Sequence, residues 1–565
     1  MVRMCRLIEE RPVTAAASGR RTQHLGRFEQ HLVHVLVAVI ASGQPWILVE
    51  PEDVHGDDCT RVYLSVSSAI LNGRPAEGRG MITGTRMGAV DENAAALGVP
   101  RKQLMESSGN AVASAVREVA APGSRVVIVA GRGNNGGDAF VAARFLDDAG
   151  AADGYDVRTI LLGRPDSIGT AIARENWEAL VAGEYDVREV ADSRAFELPD
   201  ADVIVDAMCG TGISGELREP AATAARAIDA ADATVVSVDV PSGFDADAGE
   251  HPETGVSADH VVTFHDEKPG LAALEAAVTV TDIGIPAAAE RFVGPGDLAL
   301  ARPDGRDGRA YVIGGGPYTG APALAAQAAL RSGAELSFVA APDAVAGAIQ
   351  SYAEDLIVQP YAGERLTTDA VEDLLANAEG YDNVVVFGPG LGDADESLAA
   401  ARKFLEAYTG IAVFDAEALA VVPEIETDAT LVCTPNRGEL AAMGGPETDD
   451  LRAATDEIEA FAADLGHVVL AKGVDDVITD GERTRVCRVG VPGMAVGGTG
   501  DLLAGVVAAL LEHADPFEAA CAGAYVNGRA GERLAERHGQ ADGLGILASE
   551  LLPAIPAVLW GEGDG

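Results

Sequence analysis

Residues 125–138 read RVVIVAGRGNNGGD: a β-branched run, Arg125–Gly131, passes directly into the glycine-rich turn Gly131-Arg-Gly-Asn-Asn-Gly-Gly-Asp138. A short apolar run ending in glycines and followed by an Ala-rich stretch, here Asp138–Ala149, opens a βα unit. The pattern recurs outward from it. Tyr155–Gly163, Ala201–Ala207, Thr234–Val240, His260–Phe264 and Ala277–Ile283 have the same character and complete one sheet, and the series stops at Ile285-Pro286. Gly294–Gly308 (GPGDLALARPDGRDG) is rich in Gly, Pro and charge and reads as an interdomain linker. A second series follows through Ala310–Ile313, Leu336–Ala340, Asn383–Phe387, Ile411–Phe414, Thr430–Cys433 and Val468–Leu470. A hairpin over Val477–Val489 turning at Asp480-Gly481, a helix over Ala321–Ser332 and a last helical region from Thr499 to about His513 complete it. The expectation is α/β throughout, two domains in series, each with a mostly parallel sheet.

The opening turn also carries chemistry. A Gly-rich loop between a strand and a helix presents free backbone N–H groups and the positive end of the helix dipole, which suits an anion. The paired Asn and the terminal Asp add side-chain oxygens, so the loop suits a cation as well. Asp206-Ala-Met-Cys-Gly-Thr-Gly-Ile-Ser-Gly215 and Asp239-Val-Pro-Ser-Gly-Phe-Asp245 place an Asp at or near two further strand ends, and in an open parallel sheet that edge is where ligands bind. In the second series the corresponding loops are Gly314–Pro322 (GGGPYTGAP), Phe387–Gly392 (FGPGLG), Asp415-Ala-Glu, Cys433-Thr-Pro-Asn436, Ala471-Lys-Gly473 and Gly497-Gly-Thr-Gly-Asp501. Gly-rich N–H groups at a helix start stabilise a transferring phosphoryl group, and an Asp beside them can take a proton from an attacking hydroxyl.

Charge bounds the rest. The 565 residues hold 41 Lys+Arg against 88 Asp+Glu, a formal charge of -47, which excludes a sequence-independent nucleic-acid binder. Nine Arg balance nine acidic residues in positions 1–80, so the whole surplus lies after Met81. Only four Lys occur (Lys102, Lys268, Lys403, Lys472). Such a surface keeps water and cations around a protein in strong salt and points to a salt-accumulating halophile, with nearly every acidic residue solvated surface. Residues 1–80 are read as an unstructured extension or a mis-called start, with Met81 the functional start. Six Cys without a CxxC pair, and His without ligand spacing, point to neither disulfides nor a transition metal. No apolar run is long enough to span a bilayer.

Leu104-Met-Glu-Ser-Ser-Gly109, the GRGNNGGD loop, DAMCGTG (206–212) and DVPSGFD (239–245) together resemble the epimerase domain of bifunctional NAD(P)HX repair enzymes over roughly Met87 to Ile285. GGGPYTGAP, GPGLG, TPN, AKG and VPGMAVGGTGDLLAG resemble the dehydratase domain of the same family over about Arg309 to Leu552. The resemblance implies two three-layer α/β/α domains, Rossmann-like and then ribokinase-like, divided as 1–80, 81–293, linker 294–308 and 309–565. It implies metabolite repair in the cytoplasm: the C6 epimers of hydrated NADH and NADPH (NADHX, NADPHX) interconvert, and the S form is dehydrated with ADP or ATP, Mg²⁺ accompanying the nucleotide. By position, Asn135, Asp206 and Ser242 would hold K⁺. Asn134, Asn135, Gly136, Gly137, Asp138, Gly210, Thr211, Gly212, Ile213, Ser214, Gly215, Glu216 and Asp239 would contact the hydrated nucleotide, with Asp239 moving the proton. In the second domain Asp501 would be the base, Gly498, Thr499 and Gly500 the anion hole, Lys472 and Gly473 the adenine-nucleotide segment, and Ala321, Gly390 and Asn436 substrate-side positions. Asn436 stands where the family has His, and Val491 where it has Asn. Nucleic-acid and membrane partners are not expected, and monomer or homo-oligomer stays open. So do two other readings: one domain reduced to a non-catalytic nucleotide-binding module, or a C-terminal kinase for a small vitamin alcohol.

Overall fold

The computed structural model describes residues 81–147, 154–212, 215–380 and 383–561. The expectations for residues 1–80, and for Ile213 and Ser214, fall outside them. Two sheets lie within one compact unit. The first has seven strands, β1 Arg125–Ala130, β2 Asp156–Leu162, β3 Val187–Val190, β4 Val203–Ala207, β5 Thr234–Val238, β6 His260–Phe264 and β7 Ala277–Thr281. They run parallel in the order β3-β2-β1-β4-β5-β6-β7. Val126, Ile128 and Ala130 point into one core with helices α1 (Gly84–Ala96), α2 (Arg101–Val119) and α3 (Asn134–Leu146), while Val127 and Val129 point into the other with α5 (Ala221–Asp229). Helix α4 (Ala171–Ala182) joins the first of these cores through Ala173, Trp177 and Leu180. Side chains alternate across a strand, so both faces of the sheet are covered and the layers number three.

The second sheet has nine strands, ordered β10-β9-β8-β11-β12-β13-β14-β15-β16. These are β8 Arg309–Ile313, β9 Leu336–Pro342, β10 Ile357–Tyr361, β11 Val384–Phe387, β12 Ile411–Phe414, β13 Thr430–Cys433, β14 Val468–Ala471, β15 Asp476–Thr479 and β16 Thr484–Cys487. All neighbours are parallel except β14–β15 and β15–β16, the expected hairpin. Val312, Val339 and Val386 face one core, Tyr311, Ile313 and Phe387 the other, again giving three layers. In both sheets the chain leaves its first strand to one side and then crosses to the other, so the crevices open between β1 and β4 and between β8 and β11.

Three expectations about elements change. The segment read as a linker contains helix α7, Pro295–Ala301, preceded by the short α6, Ala288–Arg291. Leu298 and Ala301 are buried in the C-terminal core and Asp297 is fully buried. Pro at the first helical position and the run Leu298-Ala-Leu-Ala301 are helix signals that the surrounding Gly and charge hide. Second, the chain does not end its helices near His513, because a 23-residue helix follows at Pro516–His538, capped by the Asp515 side chain on the Phe517 and Glu518 N–H groups. Third, α3 begins at Asn134, four residues before the expected start, so most of the Gly-rich turn is already helix.

Candidate functional sites

The ends of β1, β4 and β5 meet in a cleft of about 1060 Å³. Asn134, Asn135 and Asp138 enter it from α3, Gly210, Thr211, Gly212 and Glu216 from the loop after β4, and Asp239 from the end of β5. Gly136 and Gly137 do not line it. They are packing positions: a methyl group on Gly136 would lie 2.2 Å from the Gly131 carbonyl oxygen, and one on Gly137 would meet the Met105 side chain. Gly215 adopts a left-handed turn, φ 88.

Asp206 and Ser242 lie beneath the cleft, both fully buried. The Asp206 carboxylate accepts from Ser242 Oγ (2.5 Å), Ser242 N–H (2.8 Å), Ser237 Oγ (2.9 Å) and Met208 N–H (3.3 Å). Burial pushes its pKa up and those hydrogen bonds hold it back; among the described residues it forms no ion pair. Asn135 donates to the Cys209 carbonyl (2.9 Å), and Cys209 N–H donates to Ser242 Oγ (2.9 Å). Asn135, the Cys209 backbone, Ser242 and Asp206 therefore form one oxygen-rich cluster.

Asp239 sits at φ 64, a left-handed conformation that Asp, like Asn, adopts more readily than most residues other than Gly. Its Oδ1 lies 2.8 Å from Lys268 Nζ and accepts from Thr263 Oγ1 at 3.0 Å. Lys268 is fully buried and also donates to Thr263 Oγ1 and the Phe264 carbonyl, both at 2.9 Å. Sequence reasoning missed Lys268, although its rarity as one of four Lys was a signal. Of the other carboxyls lining the cleft, two are strongly perturbed. Asp138 is raised well above the ordinary range, by burial first and then by Asp239 and Asp91. Asp91, from α1, is raised to about 6, chiefly by burial.

In the C-terminal half the loops at the strand ends touch backbone to backbone. A methyl group on Gly388 would lie 1.9 Å from the Asp415 carbonyl, and one on Gly390 would lie 2.2 Å from that of Tyr318, so these positions admit only Gly. Ala321 stands in the first turn of the helix Gly320–Arg331, beside Tyr318 in the same loop. Lys472 joins the rest: its Nζ pairs with Asp415 Oδ1 at 2.7 Å, lies 4.0 Å from Glu439, and would be 3.1 Å from a methyl group on Gly500. It is largely buried rather than a surface charge. Burial lowers its pKa, but Asp415 and Glu439 outweigh that and the net shift is upward. Asp415, missed as a site residue, is almost fully buried and also accepts from Thr434 Oγ1 at 2.8 Å.

Gly498 (φ 103) is the N-cap of the helix Thr499–Leu510, whose first-turn N–H groups have no intrahelical partner. The Thr499 hydroxyl is engaged with the Met494 and Val496 carbonyls, so what this turn can offer an anion is backbone N–H rather than that side chain. Asp501 lies in that first turn and is pushed up to about 7, first by burial and then by Asp415, with Lys472 opposing. Asn436 pairs backbone to backbone with Lys472 as an isolated bridge. Its side-chain oxygen is committed to capping the helix Arg437–Ala442, accepting from Gly438 and Glu439 N–H, so only the amide nitrogen remains for a ligand. Gly473 N–H donates to Asp476 Oδ1.

Residues 101–270 match the family described as YjeF-related protein N-terminus, and residues 310–556 match the family NAD(P)H-hydrate dehydratase. The bifunctional NAD(P)H-hydrate repair enzyme Nnr of Methanothermobacter thermautotrophicus is 41% identical over 501 residues, 84% of this chain and 94% of that one. The enzyme of the same name from Pyrobaculum aerophilum is 43% identical over 502 residues, 85% and 98% of the two chains. Among solved structures, the ADP/ATP-dependent NAD(P)H-hydrate dehydratase of Bacillus subtilis, co-crystallised with ATP/Mg²⁺, is 25% identical, with a TM-score of 0.41 over 47% of this chain and 97% of that one.

Proposed function

The chain belongs to the bifunctional NAD(P)H-hydrate repair enzymes, joining an epimerase and a dehydratase in one polypeptide, and from that premise we propose which residues perform each step. The observation that carries the assignment is the pairing, in each half, of a carboxylate at a strand end or helix start with a buried lysine that is one of only four in the chain.

In the epimerase half (81–293), Asp239 moves the proton of the C6 hydroxyl. Lys268 beneath it keeps the carboxylate fixed and supplies the counter-charge. Asn134, Asn135, Asp138, Gly210–Gly212, Gly215 and Glu216 shape the cleft for the hydrated nucleotide, and Ile213 and Ser214 belong to the same loop by sequence. The cluster of Asn135, Asp206 and Ser242 fits K⁺: its donors are oxygens, and a fully buried carboxylate with no ion pair among the described residues suits a cation. When bound, K⁺ would supply that charge and orient the loops around the nucleotide.

In the dehydratase half (309–565), Asp501 takes the proton from the C6 hydroxyl as its oxygen attacks the terminal phosphorus of the nucleotide. The N–H groups at Gly498–Gly500 hold the transferring group, Lys472 and Gly473 hold the nucleotide, and Ala321, Gly390 and Asn436 line the substrate side. Loss of phosphate from C6 with a proton from C5 restores the dihydronicotinamide. ADP or ATP would be the donor, accompanied by Mg²⁺. A K⁺-rich cytoplasm suits both the cation site and the surplus of negative charge.

Epimer exchange followed without nucleotide, in KCl and in NaCl of equal strength, tests the cation reading. Exchange is expected to fall at least tenfold in Na⁺. Equal rates contradict a K⁺ requirement.

A further inference from the structure

Epimerisation at C6 must deliver oxygen to the face opposite the one the hydroxyl left, so a single carboxylate on one side leaves half of the proton transfers unserved. Helix α1 presents a second one. Gly84, Met87, Gly88 and Asp91 recur at helical spacing and all line the cleft that holds Asp239. Asp91 Oδ1 is buried there and has no hydrogen-bond partner among the described residues. Such an orphan acceptor is costly to keep in a folded protein and is characteristic of a group held ready for a ligand.

The other face of α1 fixes where Asp91 sits. Arg86 Nη1 pairs with buried Asp297 of α7 at 2.5 Å, Asn93 Nδ2 donates to Asp297 Oδ2 at 2.8 Å, and Gly296 N–H donates to Asn93 Oδ1 at 2.8 Å. A methyl group on Gly296 would lie 1.9 Å from the Ala89 carbonyl, so the two helices touch backbone to backbone. This holds α1 against rotation and aims Asp91 into the cleft.

We propose that Asp91 is a second catalytic residue of the epimerase, exchanging acid and base roles with Asp239 across C6 of the hydrated nicotinamide. A protonated carboxyl gives its proton to the C6 hydroxyl; the C6–O bond breaks as the N1 lone pair forms N1=C6, releasing water. A second water then adds to C6 from the other face, its proton passing to the other carboxylate as the π pair returns to N1. One carboxyl has lost a proton and the other has gained it, so the next turnover runs in the opposite sense and atoms and charge balance.

The charged surroundings suit a group that changes state near neutrality. Asp91 is raised to about 6 overall: burial is the chief cause and Asp239 adds to it, while Arg101 of α2, and His265 and Lys268 after β6, oppose the rise. Arg101 is itself paired with Glu92 and His265 with Glu290 of α6; Asp138 of α3 is a further carboxyl that interacts with Asp91.

The inference rests on the epimerase reading, and the test separates the two. Asp91→Asn, Asp91→Glu and Asp239→Asn are compared in epimer exchange against pH, with dehydratase turnover of the same preparations as the control for folding. Asp91→Asn is expected to lower the exchange kcat on the order of 100-fold, leave KM within about twofold, remove the alkaline limb of the pH profile and spare the dehydratase. Asp91→Glu is expected to restore part of the rate with a displaced limb. A kcat within about threefold of the parent, a change in KM alone, or an unmoved limb overturns the proposal. Should Asp91→Asn also lose the dehydratase, Asp91→Glu decides by the same limb. If Asp239→Asn too exchanges at the parental rate, the epimerase assignment itself falls.

Discussion

Replacing Asp501 by Asn separates the two demands on that residue. Its carboxyl is held at about 7 against an ordinary 3.8, by burial and by Asp415. That difference corresponds to about 4 kcal/mol between the protonated and ionised forms. Because the folded value is the higher one, the native state binds the proton more tightly than the unfolded chain. The resulting stabilisation is complete below about pH 4 and is lost as the pH rises through 7. At pH 8 the ionised Asp501 therefore weakens the ligand-free fold relative to a neutral isostere. Asp501→Asn is expected to stabilise the protein increasingly between pH 4 and 7 and to level off above that at about 2–4 kcal/mol, the lower figure allowing for residual solvation. Urea unfolding followed by circular dichroism from pH 5 to 8 reads this directly. The same substitution removes the base, and dehydration is expected to slow by about 10²–10⁴-fold. A gain that does not vary with pH, or no gain, refutes the electrostatic argument; retained dehydration refutes the role.

Lys472→Met leaves Asp415 buried without its counter-charge and is expected to cost about 3–5 kcal/mol, while Lys472→Met with Asp415→Asn recovers most of it in the same unfolding assay. Since Lys472 lowers Asp501, the single variant is also expected to move the dehydratase pH profile to higher pH. Asp297→Ala removes a buried carboxylate that holds Arg86 (2.5 Å), Asn93 (2.8 Å) and the Gly294 N–H (2.8 Å). The expected loss is likewise about 3–5 kcal/mol, with epimerisation impaired at temperatures where dehydration persists, because α1 lines only the first cleft.

Where most strands fall along the chain, and which strand-end loops line the candidate sites, were legible because a parallel α/β sheet writes itself as β-branched runs closed by glycine; the order of the strands within each sheet came only from the structure. Edge strands β3 and β10 escaped: Val187–Val190 is short and half charged, and Ile357–Tyr361 contains Pro360. Helix α7 was hidden by the Gly-Pro-Gly that begins it. Among site residues, those in Gly-rich turns could be found locally, whereas Asp91, Lys268 and Asp415 acquire meaning only through burial against distant segments. An aspartate on an Ala-rich helix in so acidic a chain reads as solvated surface, and nothing near residue 268 shows that its ammonium group is fully enclosed. At Asn436 the structure adds what the sequence did not show, that its side-chain oxygen serves the helix it begins.

The whole account is tested by supplying an equilibrated mixture of R and S NADHX with ADP and Mg²⁺ and following the return of dihydronicotinamide absorbance. The parent chain is expected to recover both epimers completely, Asp239→Asn to convert the S fraction and then stall to the slow spontaneous rate, and Asp501→Asn to recover almost nothing. Complete recovery by Asp239→Asn at the parental rate, or accumulation of a stable phosphorylated product by the parent, would contradict it.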